Sequence, residues 1–383
     1  MHFVSFSAVT WNFPLIGRTR MLAEAWRQMG VPTSFVQAPY LRSALERIWP
    51  FGRKPEPLPV LRPWPTYPRR WWLRVGAERL RTSIRRRARG LRRQLDKLLS
   101  WEDATAVVVS PVWVPWLEVL PFRHVIYDCI DAVEVHLPRA ELAPLYEDWE
   151  AELIARCDGA VVTAEDLGAT LRDRRPELPL TTIRNGVDVD RFQWLAANTA
   201  RPTDLPDRGR PLIGFVGVMA GGATYEWLDW ELLIQVVQAL PEFDFVFIGP
   251  HDEQAHVHAL RAAPNAYLLG WRPYDQVPAY MQAFTACWVP FSQGVVGRSA
   301  NPVKIYEYLA LGKPVVTTPV SDTQAFGNVV VTAATVDEMM AALRMAVSEG
   351  RTGAQARIAY ARANSWEARA RAFMEFVTTL NHA

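Results

Sequence analysis

Short apolar runs of strand length alternate with helix-like segments along this chain, and the alternation occurs twice. The first array contains five such runs, at residues 2–7, 33–37, 105–109, 124–128 and 159–163. The second array follows a polar, proline-containing stretch at 198–211 and contains six runs, at residues 212–217, 243–249, 265–270, 286–291, 314–318 and 328–332. Strands that alternate with helices in this way form parallel sheets covered by helices. The pattern predicts an α/β fold with two doubly wound sheets, whose ligands bind outside the carboxyl ends of the strands.

The alternation also predicts the domain boundaries. A chain of 383 residues is too long for one ordinary hydrophobic core. We therefore expect an N-terminal Rossmann-like domain at 1–197, a linker at 198–211 and a C-terminal Rossmann-like domain at 212–363. The closing stretch, NSWEARARAFMEFVTTL (364–380), has the apolar spacing of an amphipathic helix.

Composition disfavours several classes of protein. The formal net charge of +2 gives no general nucleic-acid signal. Cys129, Cys157 and Cys287 lie far apart, so neither a disulfide framework nor a zinc site is indicated, and a reducing cytoplasm fits best. The apolar residues 1–17 lack the basic flank of a signal peptide and are interpreted as a first strand and loop. No window reaches about 18 apolar residues, so we expect no transmembrane helix.

One segment breaks the alternation with a run of positive charge. Residues 69–93 carry eleven arginines against one glutamate, interleaved with Trp71, Trp72, Leu73 and Ile84. Guanidinium groups bind anionic headgroups and aromatic rings favour the bilayer interface, so the pattern is typical of a membrane-surface helix. A solvent-exposed helix rich in arginine fits the same pattern. Nucleic-acid binding is less well supported, because no groove-reading module accompanies the run.

The stretch NPVKIYEYLALGKPVVTTP (301–319) predicts a helix followed by a short buried strand. Asn301 is a favourable N-cap, and Pro302 suits the first helical position. Lys304 and Glu307 stand one turn apart beside the free N–H groups of the helix N-terminus. Those donors and the positive end of the helix dipole attract anions, so this helix start is a candidate phosphate site. Ordinary helix capping favours the same residue types.

A second candidate phosphate site is LIGFVGVMAGG (212–222), in which a predicted strand runs into a glycine-containing loop. Gly217, Gly221 and Gly222 allow the backbone to approach a phosphate closely. A tight turn between a strand and a helix favours glycine equally. The loop lacks GxGxxG, which disfavours a dinucleotide-binding dehydrogenase.

Several stretches together resemble one known family. They are NPVKIYEYLALGKPVVTT (301–318), NGVDVDRF (185–192), FIGP (247–250) and LGWRPYDQVPAYMQAFTACWVPF (269–291). These stretches are similar to the nucleotide-sugar glycosyltransferases of the GT-B fold, nearest to the family-four-like enzymes of bacterial polysaccharide synthesis. VIYDCIDAVEVH (125–136) resembles a subgroup that includes teichuronic acid and xanthan glucuronosyltransferase-like enzymes. The resemblance implies two Rossmann-like domains that face a central cleft, with the C-terminal helix packing back on the N-terminal domain.

The resemblance implies roles for residues around the predicted helix of the C-terminal half. Family-four enzymes carry two glutamates that straddle this helix, and the second of them, here Glu307, binds ribose hydroxyls. The first holds the sugar and falls at Ser299 in this chain. Backbone N–H groups near Val303 and Lys304, which follow Asn301 and Pro302, are implied to meet the diphosphate.

The resemblance also places the nucleoside base against a loop that contains Trp271, Arg272 and Tyr274. The family's phosphate-binding Arg and Lys are absent from GVMAGGATYEWLDW (217–230). We expect Lys304 to supply the missing charge, because aligned dipoles and one ammonium group balance a diphosphate leaving group. No acidic pair occupies a donor-loop position, so we expect no metal ion and no cofactor besides the nucleotide sugar.

Two aspartates are the candidate catalytic residues of the N-terminal half. Asp128 and Asp131 follow the predicted strand HVIYD (124–128) at its carboxyl end. A carboxylate there suits a general base that accepts the proton of an acceptor hydroxyl, and an aspartate that caps a turn is the alternative. Arg18 and Arg20 follow the first strand and either hold an anionic acceptor or are surface charges.

The sequence therefore predicts a metal-independent glycosyltransferase that moves a sugar from a nucleoside diphosphate sugar to a hydroxyl of a lipid-linked saccharide. We expect it in the cytoplasm, at the inner face of the membrane, with 69–93 in contact with anionic lipid. Two alternatives stay open. One is a catalytically weak, sugar-nucleotide-binding partner in a polysaccharide assembly complex, and the other is a soluble enzyme that glycosylates a small natural product.

Overall fold

The computed structural model describes residues 1–13, 17–39, 56–137, 139–219 and 226–381. The chain divides into two compact units, and each unit contains one parallel sheet with helices packed on it. The first unit comprises Met1–Val162, Leu167–Ile183 and Arg369–Ala383, and the second comprises Thr163–Asp166 and Arg184–Ala368.

The first unit is built on a seven-stranded sheet. Its strands are β1 (His2–Phe6), β2 (Thr33–Val36), β3 (Val60–Leu61), β4 (Ala104–Val108), β5 (His124–Cys129), β6 (Gly159–Val162) and β7 (Leu180–Thr182). They pair in the order β3-β2-β1-β4-β5-β6-β7, and every pair is parallel. The order runs outward from β1 in both directions, which is the arrangement of a doubly wound sheet. All five residues of β4 are buried, because helices cover such a sheet and leave its central strands no solvent face.

Helices connect the strands of the first unit. They are α1 (Arg18–Gln28), α2 (Trp72–Val75), α3 (Ala77–Leu95), α4 (Val114–Leu117), α5 (Ala143–Arg156) and α6 (Glu165–Arg174). Leu22 and Trp26 of α1 are buried, and the ring of Trp26 stacks on Phe3 of β1 with the ring centroids 4.2 Å apart. The amphipathic pattern of each long helix thus directs one face toward the sheet.

The second unit is built on a six-stranded parallel sheet. Its strands are β8 (Leu212–Val216), β9 (Asp244–Ile248), β10 (Ala266–Gly270), β11 (Ala286–Val289), β12 (Val315–Thr317) and β13 (Val331–Thr332). They pair in the order β10-β9-β8-β11-β12-β13. This order again runs outward from the first strand of the unit. The predicted α/β class with two doubly wound sheets is confirmed.

The helices of the second unit follow the same alternation. They are α7 (Val189–Asn198), α8 (Trp230–Ala239), α9 (Ala255–Arg261), α10 (Val277–Ala283), α11 (Val295–Ser299), α12 (Val303–Ala310), α13 (Val336–Glu349) and α14 (Ala354–Ala363). The second unit includes α7, which the predicted boundaries assign to the N-terminal domain. Val189 and Phe192 of α7 lie in the same buried apolar cluster as Tyr280 and Ile305. Packing of these side chains, and not the polar stretch at 198–211, decides where α7 belongs.

Most of the last helix, α15 (Trp366–Thr379), belongs to the first unit, which includes the chain from Arg369 onward. Its Phe373 is fully buried, with its ring centroid 6.0 Å from that of Phe3 and 5.2 Å from that of Trp26. Nε1 of Trp26 donates a hydrogen bond to the backbone oxygen of Ala370 at 3.1 Å. Edge-to-face aromatic contacts and one buried hydrogen bond therefore hold α15 against β1 and α1.

Candidate functional site

The carboxylate of Glu307 is the centre of the candidate site in the second unit. Glu307 lies on α12 and is 1% exposed. Its Oε1 accepts a hydrogen bond from the hydroxyl of Tyr274 at 2.9 Å, and its Oε2 accepts one from Nζ of Lys304 at 2.6 Å. A buried carboxylate is costly unless it is paired and hydrogen-bonded, and these two donors meet that requirement. The structure thus brings three sequence-predicted site residues into one contact network.

Tyr274 is held in its protonated form by its surroundings. Burial, with the negative charge of Glu307 as the next cause, raises the pKa of Tyr274 well above its ordinary value. The guanidinium carbon of Arg191 lies 5.7 Å from the centre of the Tyr274 ring, and Nζ of Lys304 lies 5.3 Å from it. The phenol therefore remains a hydrogen-bond donor to Glu307 at neutral pH, with cations on its ring.

The start of α12 differs from the sequence prediction. The helix begins at Val303 with Pro302 as the capping residue, and no side chain caps it, so the predicted N-cap at Asn301 is wrong. Instead, Oδ1 of Asn301 accepts hydrogen bonds from the backbone N–H of Asn185 at 2.8 Å and from the hydroxyl of Tyr306 at 3.2 Å. The side chain that could cap the helix is used to fix a distant loop. Nδ2 of Asn301 is buried and has no hydrogen-bond partner in the part of the chain that the structure describes.

Ser299 lies at the end of α11, where the resemblance implies a sugar-binding glutamate. Its side chain is buried, and its hydroxyl donates to the backbone oxygen of Val295 at 2.8 Å within the same helix. The hydroxyl is therefore satisfied inside α11. Because the serine side chain is uncharged, Ser299 does not supply the negative charge of the glutamate that the resemblance implies at this position.

The glycine loop is described only in part. Gly221 and Gly222 lie outside the described residues, whereas Gly217 follows β8 and donates its N–H to the backbone oxygen of Ile248 at 2.9 Å. A Cβ atom added at Gly249, where φ is +147°, would lie 1.7 Å from the backbone oxygen of Gly217. The ends of β8 and β9 therefore approach so closely that position 249 requires glycine.

Trp271 and Arg272 follow β10 but do not share the contacts of Tyr274. Trp271 is 46% exposed. Nε of Arg272 donates to the hydroxyl of Tyr280 at 2.8 Å, and its guanidinium group is paired with Asp204. The hydrogen bond to Asp204 raises the pKa of Arg272. Arg272 is thus a member of a neighbouring charge cluster, while Trp271 presents an open ring surface.

The first unit contains a cavity of about 410 Å³ at the carboxyl ends of β1, β4 and β5. Its polar lining includes Ser7, Arg18, Arg69, Tyr127, Asp131 and Tyr146. Asp131 lies beyond the end of β5 and is half-buried. The cavity thus brings together two sequence-predicted residues, Arg18 and Asp131, at the sheet edge where parallel α/β sheets bind ligands.

Asp128 and Arg20 do not line this cavity. Asp128 is fully buried, and both of its carboxylate oxygens lie 3.0 Å from Nε of Arg18, which is 4% exposed. Such a pair fixes the orientation of Arg18. Arg20 pairs with Glu24 at 2.9 Å, and its guanidinium carbon lies 4.5 Å from the centre of the Trp11 ring. Of the two predicted aspartates, Asp131 faces the cavity and Asp128 supports its wall.

Tyr127, Tyr146 and Arg69 line the cavity but were not predicted as site residues from the sequence. The hydroxyl of Tyr127 donates to Oε1 of Glu150 at 2.7 Å, and burial raises the pKa of Tyr127 well above its ordinary value. Tyr127 precedes Asp128 in β5, so the side chains of these two residues point to opposite faces of the sheet. Arg69 is one of eleven arginines in residues 69–93, and no sequence signal distinguishes it from the other ten.

The arginine-rich segment divides into two parts. In α3, five apolar residues face inward: Leu80, Ile84, Ala88, Leu91 and Leu95 are buried, whereas Ala77 in the first turn is exposed. Arg81 pairs with Glu152 and Glu118, and Arg85 pairs with Glu118. Trp72 is also buried in the core of the first unit, so the expectation that its ring lies at a bilayer interface is wrong. Trp71 and Leu73 are exposed.

The described residues contain neither a candidate metal centre nor a candidate membrane span. They include no group of three or more His, Cys, Asp or Glu side chains placed to hold a metal ion. Within the same residues, no helix is both long and apolar enough to span a bilayer.

The second unit matches a known family. Residues 210–349 match the family described as Glycosyl transferases group 1. The chain carries a glycosyltransferase group 1 domain. This domain contains the Glu307 network, the start of α12 and the loop that follows β10.

Two curated proteins are similar to parts of the chain that carries this group 1 domain. The putative teichuronic acid biosynthesis glycosyltransferase TuaH of Bacillus subtilis is 26% identical over 211 residues, which is 52% of this chain and 51% of that protein. The 2-deoxystreptamine glucosyltransferase of Streptomyces kanamyceticus is 29% identical over 167 residues, which is 41% of this chain and 39% of that protein. The chain thus spans about half or less of the length of these relatives.

The fold around the group 1 domain has solved counterparts. The alignment with the sucrose-phosphate synthase of Thermosynechococcus elongatus covers 100% of this chain and 100% of that chain. Its TM-score is 0.70, and the two sequences are 14% identical. The likeness extends over both units and shows the fold alone. The fold is that of the GT-B glycosyltransferases, so the resemblance drawn from the sequence is confirmed for the fold and, within residues 210–349, for the glycosyltransferase group 1 domain.

Proposed function

We propose that the protein is a glycosyltransferase that moves a sugar from a nucleoside diphosphate sugar to a hydroxyl of a saccharide acceptor. The observation that carries the proposal is the buried carboxylate of Glu307, held by Lys304 and Tyr274 within the group 1 domain. Each carboxylate oxygen has two lone pairs and uses one of them here. Glu307 is therefore suited to accept hydrogen bonds from the two hydroxyls of a ribose ring.

In this proposal, the diphosphate of the donor binds at the first turn of α12. The N–H groups of Val303 and Lys304 belong to that turn, and the positive end of a helix dipole favours an anion there. The Lys304 side chain is 25% exposed, so its ammonium group can exchange Glu307 for a phosphate oxygen. The unpartnered Nδ2 of Asn301 supplies a further buried donor beside the helix start.

The transfer step is a single displacement at the anomeric carbon of the donor sugar. The acceptor oxygen bonds to that carbon, the bond from the carbon to the phosphate oxygen breaks, and the nucleoside diphosphate leaves with the electron pair. The carboxylate of Asp131 accepts the proton of the acceptor hydroxyl as general base. Its place in the cavity of the first unit supports this role, whereas the pairing of Asp128 with Arg18 supports a positioning role for Asp128.

We further propose that the acceptor is lipid-linked, that the protein works in the cytoplasm at the inner face of the membrane, and that the step needs no metal ion. Two observations support this reading. The similar protein from Bacillus subtilis is named for teichuronic acid biosynthesis. The first unit exposes several arginines on α3, namely Arg79, Arg86, Arg87, Arg89, Arg92 and Arg93.

A screen of nucleoside diphosphates by thermal unfolding tests the donor half of the proposal. A ligand at about 100 times its dissociation constant adds roughly 2.7 kcal/mol to the stability of the protein. We expect one base to stabilise the wild type, and Glu307→Gln to reduce the effect. Glu231→Gln, an exposed glutamate on α8, is the matched control and should behave as the wild type. If no nucleoside diphosphate stabilises the wild-type chain, the proposal is wrong.

A soluble small-molecule acceptor is the second candidate. The observation that favours it is the similarity to a 2-deoxystreptamine glucosyltransferase over 41% of the chain. Such an enzyme should transfer sugar to a water-soluble acceptor at the same rate with and without lipid vesicles. A lipid-linked acceptor predicts transfer that depends on the vesicles. Donor binding with neither hydrolysis nor transfer would instead favour the sugar-nucleotide-binding partner, in line with the uncharged Ser299.

A further inference from the structure

Exposed apolar side chains are concentrated in one short part of the first unit. Trp64, Tyr67, Trp71 and Leu73 are 37%, 39%, 46% and 57% exposed. Large apolar side chains at a protein surface are normally scattered, and a concentration of them marks an interaction site. Tryptophan and tyrosine are also the side chains that favour the boundary between lipid and water. We refer to residues 64–74 as the apolar segment.

Positive charge surrounds the exposed end of the apolar segment. A surface cavity of about 410 Å³ is lined by Arg69, Trp71, Leu73, Arg74, Arg139, Glu141 and Leu142. Its one carboxylate, Glu141, lies 3.4 Å from Nε of Arg139. Three guanidinium groups thus face one carboxylate, and the lining has a net positive charge. Guanidinium groups bind phosphate oxygens in pairs of parallel hydrogen bonds, so the cavity is suited to an anionic phosphate.

Arg69 connects this surface cavity to the candidate acceptor cavity. It lines the cavity that contains Arg18 and Asp131, and it also lines the surface cavity beside Trp71. Its guanidinium carbon lies 5.8 Å from the centre of the buried Trp72 ring. A molecule with its phosphate at Arg69 can therefore extend toward Asp131 on one side and toward exposed apolar side chains on the other.

The neighbouring helix α3 lacks this combination. It has more arginines, but its large apolar side chains are buried and Arg81 and Arg85 are paired with carboxylates. Its exposed face offers charge without an apolar group to enter a bilayer. Charge alone gives attraction that fades with salt, whereas charge beside exposed tryptophan and leucine gives a surface that also resists salt.

We propose that the apolar segment binds the phosphate headgroup of a membrane lipid through Arg69, Arg74 and Arg139, with Trp71 and Leu73 entering the headgroup region. The inference rests on the proposed function, because it makes the bilayer the source of the acceptor that reaches the cavity of Asp131. It also replaces the wider segment 69–93 by a defined contact surface that precedes α3.

A fluorophore at position 73 tests where the protein meets the bilayer. All three native cysteines are buried, so Leu73→Cys offers a selectively reactive thiol in the full chain. We expect the emission of a polarity-sensitive label there to shift to shorter wavelength on vesicles of phosphatidylcholine with phosphatidylglycerol. Vesicles of phosphatidylcholine alone should leave the emission unchanged. Sedimentation of the protein with anionic vesicles without any shift would overturn the placement.

Charge removal tests the three arginines against a matched set. One basic side chain near an anionic surface changes the binding constant by about fivefold, so Arg69→Gln, Arg74→Gln and Arg139→Gln together should weaken vesicle binding by about 100-fold. The control removes the same charge from α3 through Arg86→Gln, Arg87→Gln and Arg93→Gln, and should weaken binding by less than about tenfold. An equal loss in both triple variants would assign the contact to α3 and overturn the proposal.

Titration with nucleoside diphosphates, without vesicles, separates this inference from the proposed function. The Arg69, Arg74 and Arg139 triple variant should bind the donor nucleotide as the wild type does, because these residues lie in the first unit. Normal nucleotide binding with no vesicle binding in the wild type would overturn the lipid site alone. Vesicle binding without nucleotide binding would overturn the proposed function and leave the lipid contact supported.

Discussion

Nζ of Lys304 lies 2.6 Å from Oε2 of Glu307, so the cation expected at the phosphates and the carboxylate expected at the ribose contact each other. The two side chains differ in freedom, because that of Glu307 is 1% exposed and that of Lys304 is 25% exposed. The hydroxyl of Tyr274 donates a hydrogen bond to the other carboxylate oxygen of Glu307. We therefore expect Lys304 to change partner when a donor binds, while Glu307 stays in place.

The first prediction concerns this pair. Glu307→Gln should weaken the binding of a nucleoside diphosphate by about 1–3 kcal/mol, the usual loss for a hydrogen bond to a charged group. Lys304→Ala should weaken binding and turnover together, because the diphosphate is both a binding group and the leaving group. Isothermal titration and steady-state rates measure the two effects. Unchanged affinity in both variants would remove the phosphate and ribose site from α12.

The second prediction concerns Tyr274. Tyr274→Phe removes one donor to Glu307 but keeps the ring, so donor affinity should fall by about 0.5–1.5 kcal/mol. Tyr267→Phe is the control, since its hydroxyl contacts Arg208 at the surface and not the site. Titration of both variants with the same nucleotide decides the matter. Equal affinities for the two would mean that Tyr274 does not position Glu307.

The third prediction separates the two aspartates by rate. Asp131→Asn should lower the transfer rate by about 10²–10⁴-fold without changing donor affinity, because it removes the general base alone. Asp173→Asn, an exposed position on α6, is the control. Rates are compared at saturating donor. A normal rate for Asp131→Asn would place the base elsewhere or require a different mechanism.

The fourth prediction separates them by stability. Breaking the buried pair of Asp128 and Arg18 with Asp128→Asn should cost about 3–5 kcal/mol, because the guanidinium group loses its partner in a buried position. The double variant Arg18→Met, Asp128→Leu should recover part of that loss, since no unpaired charge remains. Urea unfolding gives both values. A double variant less stable than Asp128→Asn would contradict the pairing as the source of the cost.

The fifth prediction concerns acid. Burial opposes ionisation of Glu152, but hydrogen bonds from Arg81 and then Arg156 outweigh it and lower the pKa of Glu152 below its ordinary 4.5. A carboxylate with a lowered folded-state pKa stabilises the fold above its unfolded pKa, and this contribution is lost as the pH falls through the folded value. Arg81→Gln should therefore be less stable than the wild type near neutral pH, and the difference should shrink below pH 4.5.

Urea unfolding at several pH values measures that difference, and Arg79→Gln on the same helix is the control with an exposed arginine. The control should show no such dependence on pH. If the difference in unfolding free energy between the wild type and Arg81→Gln increases in acid, the ion pair of Arg81 with Glu152 is not the source of the lowered pKa of Glu152.

Much of the fold follows from local sequence. Buried parallel strands favour apolar runs, and such runs make up most of β4 (residues 106–108) and β9 (residues 245–248). The start of α12 was predicted less well, because Asn301 is bonded to Asn185, which lies 116 residues earlier in the chain. No local pattern reports a partner at that distance. The capping preference of Asn301 therefore helped to predict the helix, but it did not predict that the side chain of Asn301 bonds to Asn185.

The site was predictable residue by residue but not as a network. Glu307 and Tyr274 were both expected near the donor, yet the hydrogen bond between them depends on how α12 packs beside the loop after β10. The choice between Asp128 and Asp131 was likewise undecided by spacing. Asp128 lies inside β5 and meets Arg18, which is 110 residues away, whereas Asp131 lies beyond the strand.

The place of α15 has a consequence for synthesis on the ribosome. Phe3 and Trp26 emerge long before Phe373, so the first unit lacks part of its aromatic core while the second unit is being translated. Domains generally fold as they leave the ribosome, N-terminal ones first. Here the ribosome has synthesised all of the second unit, including Arg184–Ala368, before it adds the last segment of the first unit, Arg369–Ala383. A nascent chain that stalls before α15 therefore exposes Phe3 and Trp26 and becomes a client for chaperones.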